Sequence, residues 1–251
     1  MLVLRSVLAS VLLALWAGVI SVLGQLTWPL PRPWRYAFVS LFARGGLLML
    51  RNICGLDFTV EGREHIPDQA SVVMAKHQSA WETMAFQLIF PRQVWVLKRE
   101  LLWVPFVGWG LALLKPIAID RKAGRRAIEQ VVDQGRARLH EGWWVIVFPE
   151  GTRVAAGTKG QYHRGGAVLA QRAGCVVVPV AHNAGEFWGR QQIIKRPGTI
   201  RVVIGPPIAT QDRRSADITA EAEHWIESTM ARISTLPYPN PKGGAEKHGN
   251  S

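Results

Sequence analysis

Acidic residues are missing from the first 51 positions, which carry five arginines (Arg5, Arg32, Arg35, Arg44 and Arg51) among long apolar runs. Over all 251 residues, 30 Lys and Arg face 18 Asp and Glu, a formal net charge of +12. A surplus of that size calls for a polyanionic partner: nucleic acid, an anionic bilayer or a phosphorylated substrate. Nucleic-acid arms are basic and polar, whereas this one is basic and greasy. No recognised nucleic-acid module follows it, so the expected partner is an anionic membrane and not nucleic acid. Cysteine is scarce too. Cys54 and Cys175 stand in neither a C-x-x-C nor a metal-ligand spacing, which excludes a disulfide framework and implies no metal. Both are expected as reduced, apolar-like thiols. Also absent is a G-x-S-x-G or similar setting for a serine or cysteine nucleophile, so chemistry through an acyl-enzyme is not indicated.

What the amino-terminal part does have is VLASVLLALWAGVISVLG, residues 7–24, 18 positions without a charge. As a helix it is about 27 Å long, just enough to cross a hydrocarbon core. No small-x-small cleavage site follows Arg5 and the apolar run, so a membrane helix is expected in preference to a cleaved signal peptide. Trp28 and Trp34 beside Arg32 and Arg35 read as an interfacial belt, and the arginine excess after the span places the remainder in the cytoplasm. Residues 36–51 are apolar but interrupted by Arg44 and Gly45–Gly46. A helix lying in the cytoplasmic leaflet is expected there, and the two elements together could instead form a hairpin in one leaflet.

From about residue 56 the texture changes. Val-, Ile- and Trp-rich runs at 56–62, 71–76, 94–98, 116–120, 143–148, 176–181 and 200–205 predict strands. Helical patterns lie between or after them at 80–90, 122–141, 164–173 and 217–233; that at 122–141 puts Ile128, Val131, Val132 and Leu139 on one face. The expected class is α/β, with a mixed, largely parallel central sheet flanked by helices and an N-terminal membrane-associated helical arm. The expected organisation is an arm over 1–55, a catalytic domain over 56–235 and a disordered tail over 236–251. Pro179 predicts that the 176–181 strand is an edge or strained position.

Four short stretches hold residues suited to chemistry. In HQSAWE, His77 leaves a strand and Ser79 to Glu82 form an S-x-x-E capping box, with Ser79 as N-cap and Glu82 at the third helical position. On a continuous helix, positions five apart would not share a face. A first-turn glutamate, however, points back to the preceding loop, where its carboxylate would accept from one imidazole nitrogen and leave the other to take a proton. Cap and catalytic pair are compatible readings. In WWVIVFPEGTR (143–153) a buried strand ends in a sharp turn, and Arg153 offers a planar fork for a phosphate. Glu150 beside it would orient that arginine or accept from a hydroxyl, and the plainer reading is a surface turn with a local ion pair. LKPIAIDR (114–121) and VVPVAHN (177–183) are two further strand ends; His182 is expected to be structural. Lys98 follows a strand, as a ligand cation or a solvated lysine.

In this order and spacing the four stretches resemble the glycerolipid acyltransferase family with the H-x4-D signature, in particular its bacterial 1-acylglycerol-3-phosphate acyltransferases. HQSAWE, IAIDR, FPEGTR and VVPVAHN match its successive blocks across about residues 57–210, FPEGTR most specifically. The resemblance implies that His77 is the general base, oriented by Glu82. It implies an acceptor phosphate held by Arg153 and Lys98, with Glu150 and Gly151 in the same acceptor site and Arg121 as a weaker candidate. It implies lysophosphatidic acid as acceptor and acyl-CoA or acyl carrier protein as co-substrate. No other cofactor and no metal are implied, and the location is a bacterial-type inner membrane with the catalytic domain facing the cytoplasm. The chain departs from the pattern in Glu82, where aspartate is commoner, in Lys115–Pro116 and in His182. Two rivals are a related O-acyltransferase using another lysolipid or glycerol-3-phosphate, and a membrane-anchored lipid-binding protein without catalysis. The intact His77/Glu82 pair and FPEGTR turn argue against the latter.

Overall fold

The computed structural model describes residues 1–239, apart from the side chains of Arg121 and Arg125. Helices α1 (Leu2–Gly24), α2 (Arg32–Val39) and α3 (Leu41–Cys54) precede the sheet. Strands β1 (Leu56–Glu61) and β2 (Val72–Ala75), helix α4 (Trp81–Ile89), strand β3 (Gln93–Lys98), helix α5 (Val107–Leu113) and strand β4 (Ile117–Ile119) come next. Then follow α6 (Arg125–His140), β5 (Trp144–Val147), α7 (Gly165–Ala173), β6 (Val177–His182), the short α8 (Ala184–Phe187), β7 (Gly198–Ile204) and α9 (Ser215–Ile233).

The seven strands form one sheet in the order β1-β7-β6-β2-β5-β3-β4. All neighbours are parallel except β6 and β7. Strands covered by helices on both faces carry apolar residues at every position instead of alternating. β2, β5 and β6 do this and are buried along their whole length. On α6, Val131 and Val132 are buried as expected, while Ile128 is 36% exposed.

Pro179 does not mark an edge. β6 lies inside the sheet, between β2 and β7. The antiparallel ladder with β7 begins only at Val180, paired with Ile204, and the Pro179 carbonyl accepts from Gly205 N–H at 2.9 Å. The missing N–H therefore falls at the end of that ladder, where it costs little.

Nor do Arg44, Gly45 and Gly46 interrupt the second apolar segment: α3 runs through all three. A Cβ on Gly46 would lie 2.7 Å from Met84 Sδ and 3.1 Å from Leu13 Cδ2. The glycine lets α3 approach α1 and α4 closely. Two helical stretches, Leu2–Thr27 and Arg32–Cys54, are long and apolar enough to cross a membrane by length and composition. Arg32 docks the arm onto the sheet domain. It pairs with Glu141, donates to Leu114 O at 3.1 Å and lies 3.9 Å over the Trp143 ring. Arg35 lies 5.6 Å from the Trp28 ring. One hydrophobic core joins Ala9, Leu13 and Leu47 of these helices to Val73 and Val145 of the sheet. Residues 240–251, most of the expected tail, lie outside the described residues.

Candidate active site

The parallel register of β2 and β5 pairs Met74 with Val147. Three residues further on, His77 and Glu150 stand side by side at the carboxyl ends of the strands, where such sheets bind ligands. His77 Nδ1–H donates to Glu82 Oε1 at 2.7 Å. The same oxygen accepts from the N–H groups of Gln78 and Ser79, both at 3.0 Å. Half of the expected capping box is thus present, since Glu82 reaches back to Ser79 N–H. The other half is displaced: Ser79 Oγ accepts from Trp81 N–H at 3.1 Å, and α4 begins at Trp81 with Ala80 as its cap. The convergence of three donors on one oxygen tightens residues 77–79 into a turn and starts the helix one residue late.

Glu82 is fully buried. Burial alone would raise its carboxyl pKa, but the neighbouring imidazoles of His182 and His77, the His77 hydrogen bond and Ser79 N–H outweigh it, and the pKa lies below the ordinary glutamate value. The carboxylate therefore fixes the Nδ1–H tautomer, and Nε2 has no partner among the described residues. The imidazole stacks on Phe148, with centroids 3.9 Å apart and planes at 12°.

After β5 the FPEGTR turn closes with Gly151 N–H donating to Phe148 O at 3.0 Å, and Gly151 has φ +68°, a conformation that favours glycine. Glu150 does not orient Arg153. It is buried, and its Oε2 accepts from His77 N–H at 2.9 Å, while Oε1 accepts from Lys76 Nζ at 2.7 Å and Gly160 N–H at 3.1 Å. Arg153 and His77 line one cavity of about 370 Å³, whose wall is otherwise mostly apolar. Arg153 Nε is buried without a partner, and its side chain makes no ion pair among the described residues. Ala17 and Ile20 of α1, Phe42 of α3, Trp95 of β3 and Leu111 of α5 contribute to that wall. Lys98 ends β3 but is not part of the lining; it is half-exposed, 3.5 Å from Glu100. Arg121 opens the short turn after β4, and its side chain lies outside what is described.

Residues 57–183 match the family described as Acyltransferase. The chain is 44% identical to the 1-acyl-sn-glycerol-3-phosphate acyltransferase of Pseudomonas aeruginosa, over 93% of each chain. It is 31% identical to the human 1-acyl-sn-glycerol-3-phosphate acyltransferase alpha, over 75% of this chain and 69% of that one. The chain belongs to the acyltransferase family. Its fold is similar to the crystal structure of the 1-acyl-sn-glycerophosphate (LPA) acyltransferase from Thermotoga maritima. The TM-score is 0.73 at 21% identity, and the match covers 94% of this chain and 95% of that one.

The acyltransferase site includes residues that sequence reasoning missed. Lys76 is fully buried between Glu150 and Glu227, the latter on α9, with Nζ 3.0 Å from Glu227 Oε1. The signal was available: a lysine directly after the all-apolar strand VVMA requires a buried counter-ion. His182 is structural, as expected. Its Nε2–H donates to Lys76 O at 2.8 Å, and Nδ1 accepts from Ala184 N–H at 3.3 Å. Burial lowers its pKa, opposed by the neighbouring Glu82 carboxylate. Both cysteines are buried free thiols. A larger cavity of about 500 Å³, lined by Ala70, Arg136, His140 and Cys175, lies at the amino ends of the strands and holds neither His77 nor Arg153.

Proposed function

We propose that this acyltransferase moves an acyl chain from acyl-CoA or acyl carrier protein to the sn-2 hydroxyl of lysophosphatidic acid, forming phosphatidic acid. One observation carries the reading: an imidazole oriented by a carboxylate and an arginine without an acidic partner line the same apolar cavity. A single-chain lipid with a phosphate headgroup matches those three properties, and the names of the relatives point to that acceptor. His77 Nε2 takes the proton of the hydroxyl as its oxygen attacks the thioester carbonyl. The tetrahedral adduct then expels the thiolate, and the imidazolium returns the proton to sulfur. Glu82 stabilises the imidazolium in between. Arg153 holds the phosphate, with Lys98 and Arg121 at neighbouring strand ends as further cations, so the hydroxyl is presented to His77 instead of diffusing past it. The transfer is direct and uses no cofactor beyond the thioester. The apolar helices keep the site on the cytoplasmic face of a bacterial-type inner membrane, against anionic headgroups.

Purified membranes, labelled acyl-CoA and a panel of lysolipids and glycerol-3-phosphate test this, with wild type and His77→Ala. The expectation is labelled phosphatidic acid from wild type and a kcat reduced by roughly 10²–10⁴-fold in His77→Ala. Wild type that acylates no acceptor removes the enzyme reading, product from a different acceptor alone corrects the substrate, and full activity in His77→Ala removes the base.

A further inference from the structure

Lys76 Nζ is buried between two carboxylates, and neither lines the cavity. Glu150 accepts from Lys76 Nζ, Gly160 N–H and His77 N–H. Glu227 accepts from Lys76 Nζ and from Tyr162 OH on Oε1, and from Tyr238 OH on Oε2, the two phenol bonds both at 2.7 Å. Each carboxylate has three donors, which is how two buried negative charges persist around one positive charge. Burial first, and the Glu227 charge next, raise the pKa of both phenols, so they remain donors. Burial pushes the Glu150 carboxyl up, opposed by Lys76.

The network reaches the catalytic base through the backbone. Glu150 holds His77 N–H at 2.9 Å, and Val154 N–H donates to His77 O at 2.8 Å. Its far end is the segment after α9. Tyr238 Oη also lies 3.2 Å from Thr158 O, the carbonyl that Lys76 Nζ uses at 3.1 Å, and Lys76 Nζ lies 5.7 Å from the Tyr238 ring centroid. Residues 234–239 form a strap fastened by Ser234 Oγ and Thr235 Oγ1, each donating to Glu186 at 2.6 Å.

We infer that Tyr238, Glu227, Lys76 and Glu150 are positioning residues for the reaction: the C-terminal strap sets the place of His77 through this buried chain. Resting on the acyl-transfer reading above, the inference makes Glu150 a support for the base and not a ligand of the acceptor. A catalytic group misplaced by an ångström can cost 10²-fold in rate without loss of substrate affinity.

The test uses the full chain in detergent, with kcat and acceptor KM per folded enzyme and hydrogen exchange of the peptide carrying His77. In Tyr238→Phe the ring stays and only the hydroxyl is lost. The expected result is a kcat lower by roughly 5–10-fold, an acceptor KM within about twofold, and faster exchange at His77. Glu150→Gln, with one acceptor oxygen left for three donors, is expected to lose about 10²-fold in kcat with the same KM pattern. If Glu227→Gln folds poorly, the pair Lys76→Met with Glu227→Gln keeps the buried net charge at that of wild type, and its kcat is still expected to fall. Unchanged kcat and exchange in folded Tyr238→Phe overturn the inference, as does a rise in acceptor KM alone in Glu150→Gln. Should wild type acylate no lysolipid while His77 exchange still quickens in Tyr238→Phe, the acyl-transfer reading fails and the structural link stands.

Discussion

Glu82 Oε1 accepts from the imidazole and from two backbone N–H groups. Glu82→Gln keeps an acceptor for the backbone but no longer stabilises an imidazolium, so kcat is expected to fall by roughly 10²-fold in the same acylation assay. The carboxylate also stabilises the fold. Its folded pKa lies below the ordinary value of 4.5. That contribution is therefore complete above about pH 4.5 and disappears as pH falls through the folded value. Acid titration followed by circular dichroism is expected to show wild type losing stability below pH 4.5 more steeply than Glu82→Gln; parallel curves would contradict the carboxylate's role. On the proposed phosphate role, Arg153→Ala is expected to lose charge-assisted hydrogen bonds worth about 1.5–3 kcal/mol, roughly a 10–100-fold rise in acceptor KM with thioester KM unchanged. At this scale the break at HQSAWE was legible because strand end, turn and helix start all lie within one short stretch, and the turn at FPEGTR because it directly follows a buried strand. Glu150 was misread because its partners, Lys76 and Gly160, are distant in sequence. No local pattern reports that the carboxylate turns inward.

Strand positions came within a few residues of the sequence reading because Val- and Ile-rich runs bounded by turns leave few alternatives. Helix α5 went unread, since VGWGLAL has two glycines and no clear apolar period. Its helical form depends on packing: a Cβ on Gly110 would lie 2.8 Å from Ser21 Oγ of α1. The glycines of α3 were read as interruptions for the same reason, because close approach between helices is invisible in one segment. Gly46→Leu tests that explanation. The added side chain must displace Met84 and Leu13, and overpacking of this kind costs about 1–3 kcal/mol. Thermal unfolding is expected to move down accordingly, with a smaller shift for Gly46→Ala because Met84 is flexible. Activity is expected to drop as well, since α4 carries both Met84 and Glu82. An unchanged Tm in Gly46→Leu would show that α3 and α4 are not in close contact.

For the whole molecule, the boundary near residue 55 separates two textures of sequence but not two cores. The outer side of α1 is exposed at Leu4, Val11, Leu15 and Val22, as a lipid-facing helix would be. Its inner side buries Ala9, Leu13 and Ile20, and Ala17 and Ile20 wall the cavity that His77 and Arg153 line. Lys195 adds a polar fastening: it is fully buried, 4.5 Å from the Trp188 ring centroid, with Nζ donating to Ser10 Oγ at 2.5 Å and Ile193 O at 3.0 Å. If α1 were only an anchor, deletion of residues 2–24 would release a soluble enzyme active on short-chain substrates that need no bilayer. The shared core predicts otherwise. Each buried Leu or Ile is worth about 1.5–3 kcal/mol, and the deletion also uncovers neighbours such as Leu47. That is a large part of the ~5–15 kcal/mol margin of a typical domain. The truncated chain is therefore expected to unfold at lower denaturant concentration and to lose activity even toward a water-soluble thioester and a short-chain lysolipid. Full activity in solution after the deletion would mean that α1 contributes to location alone.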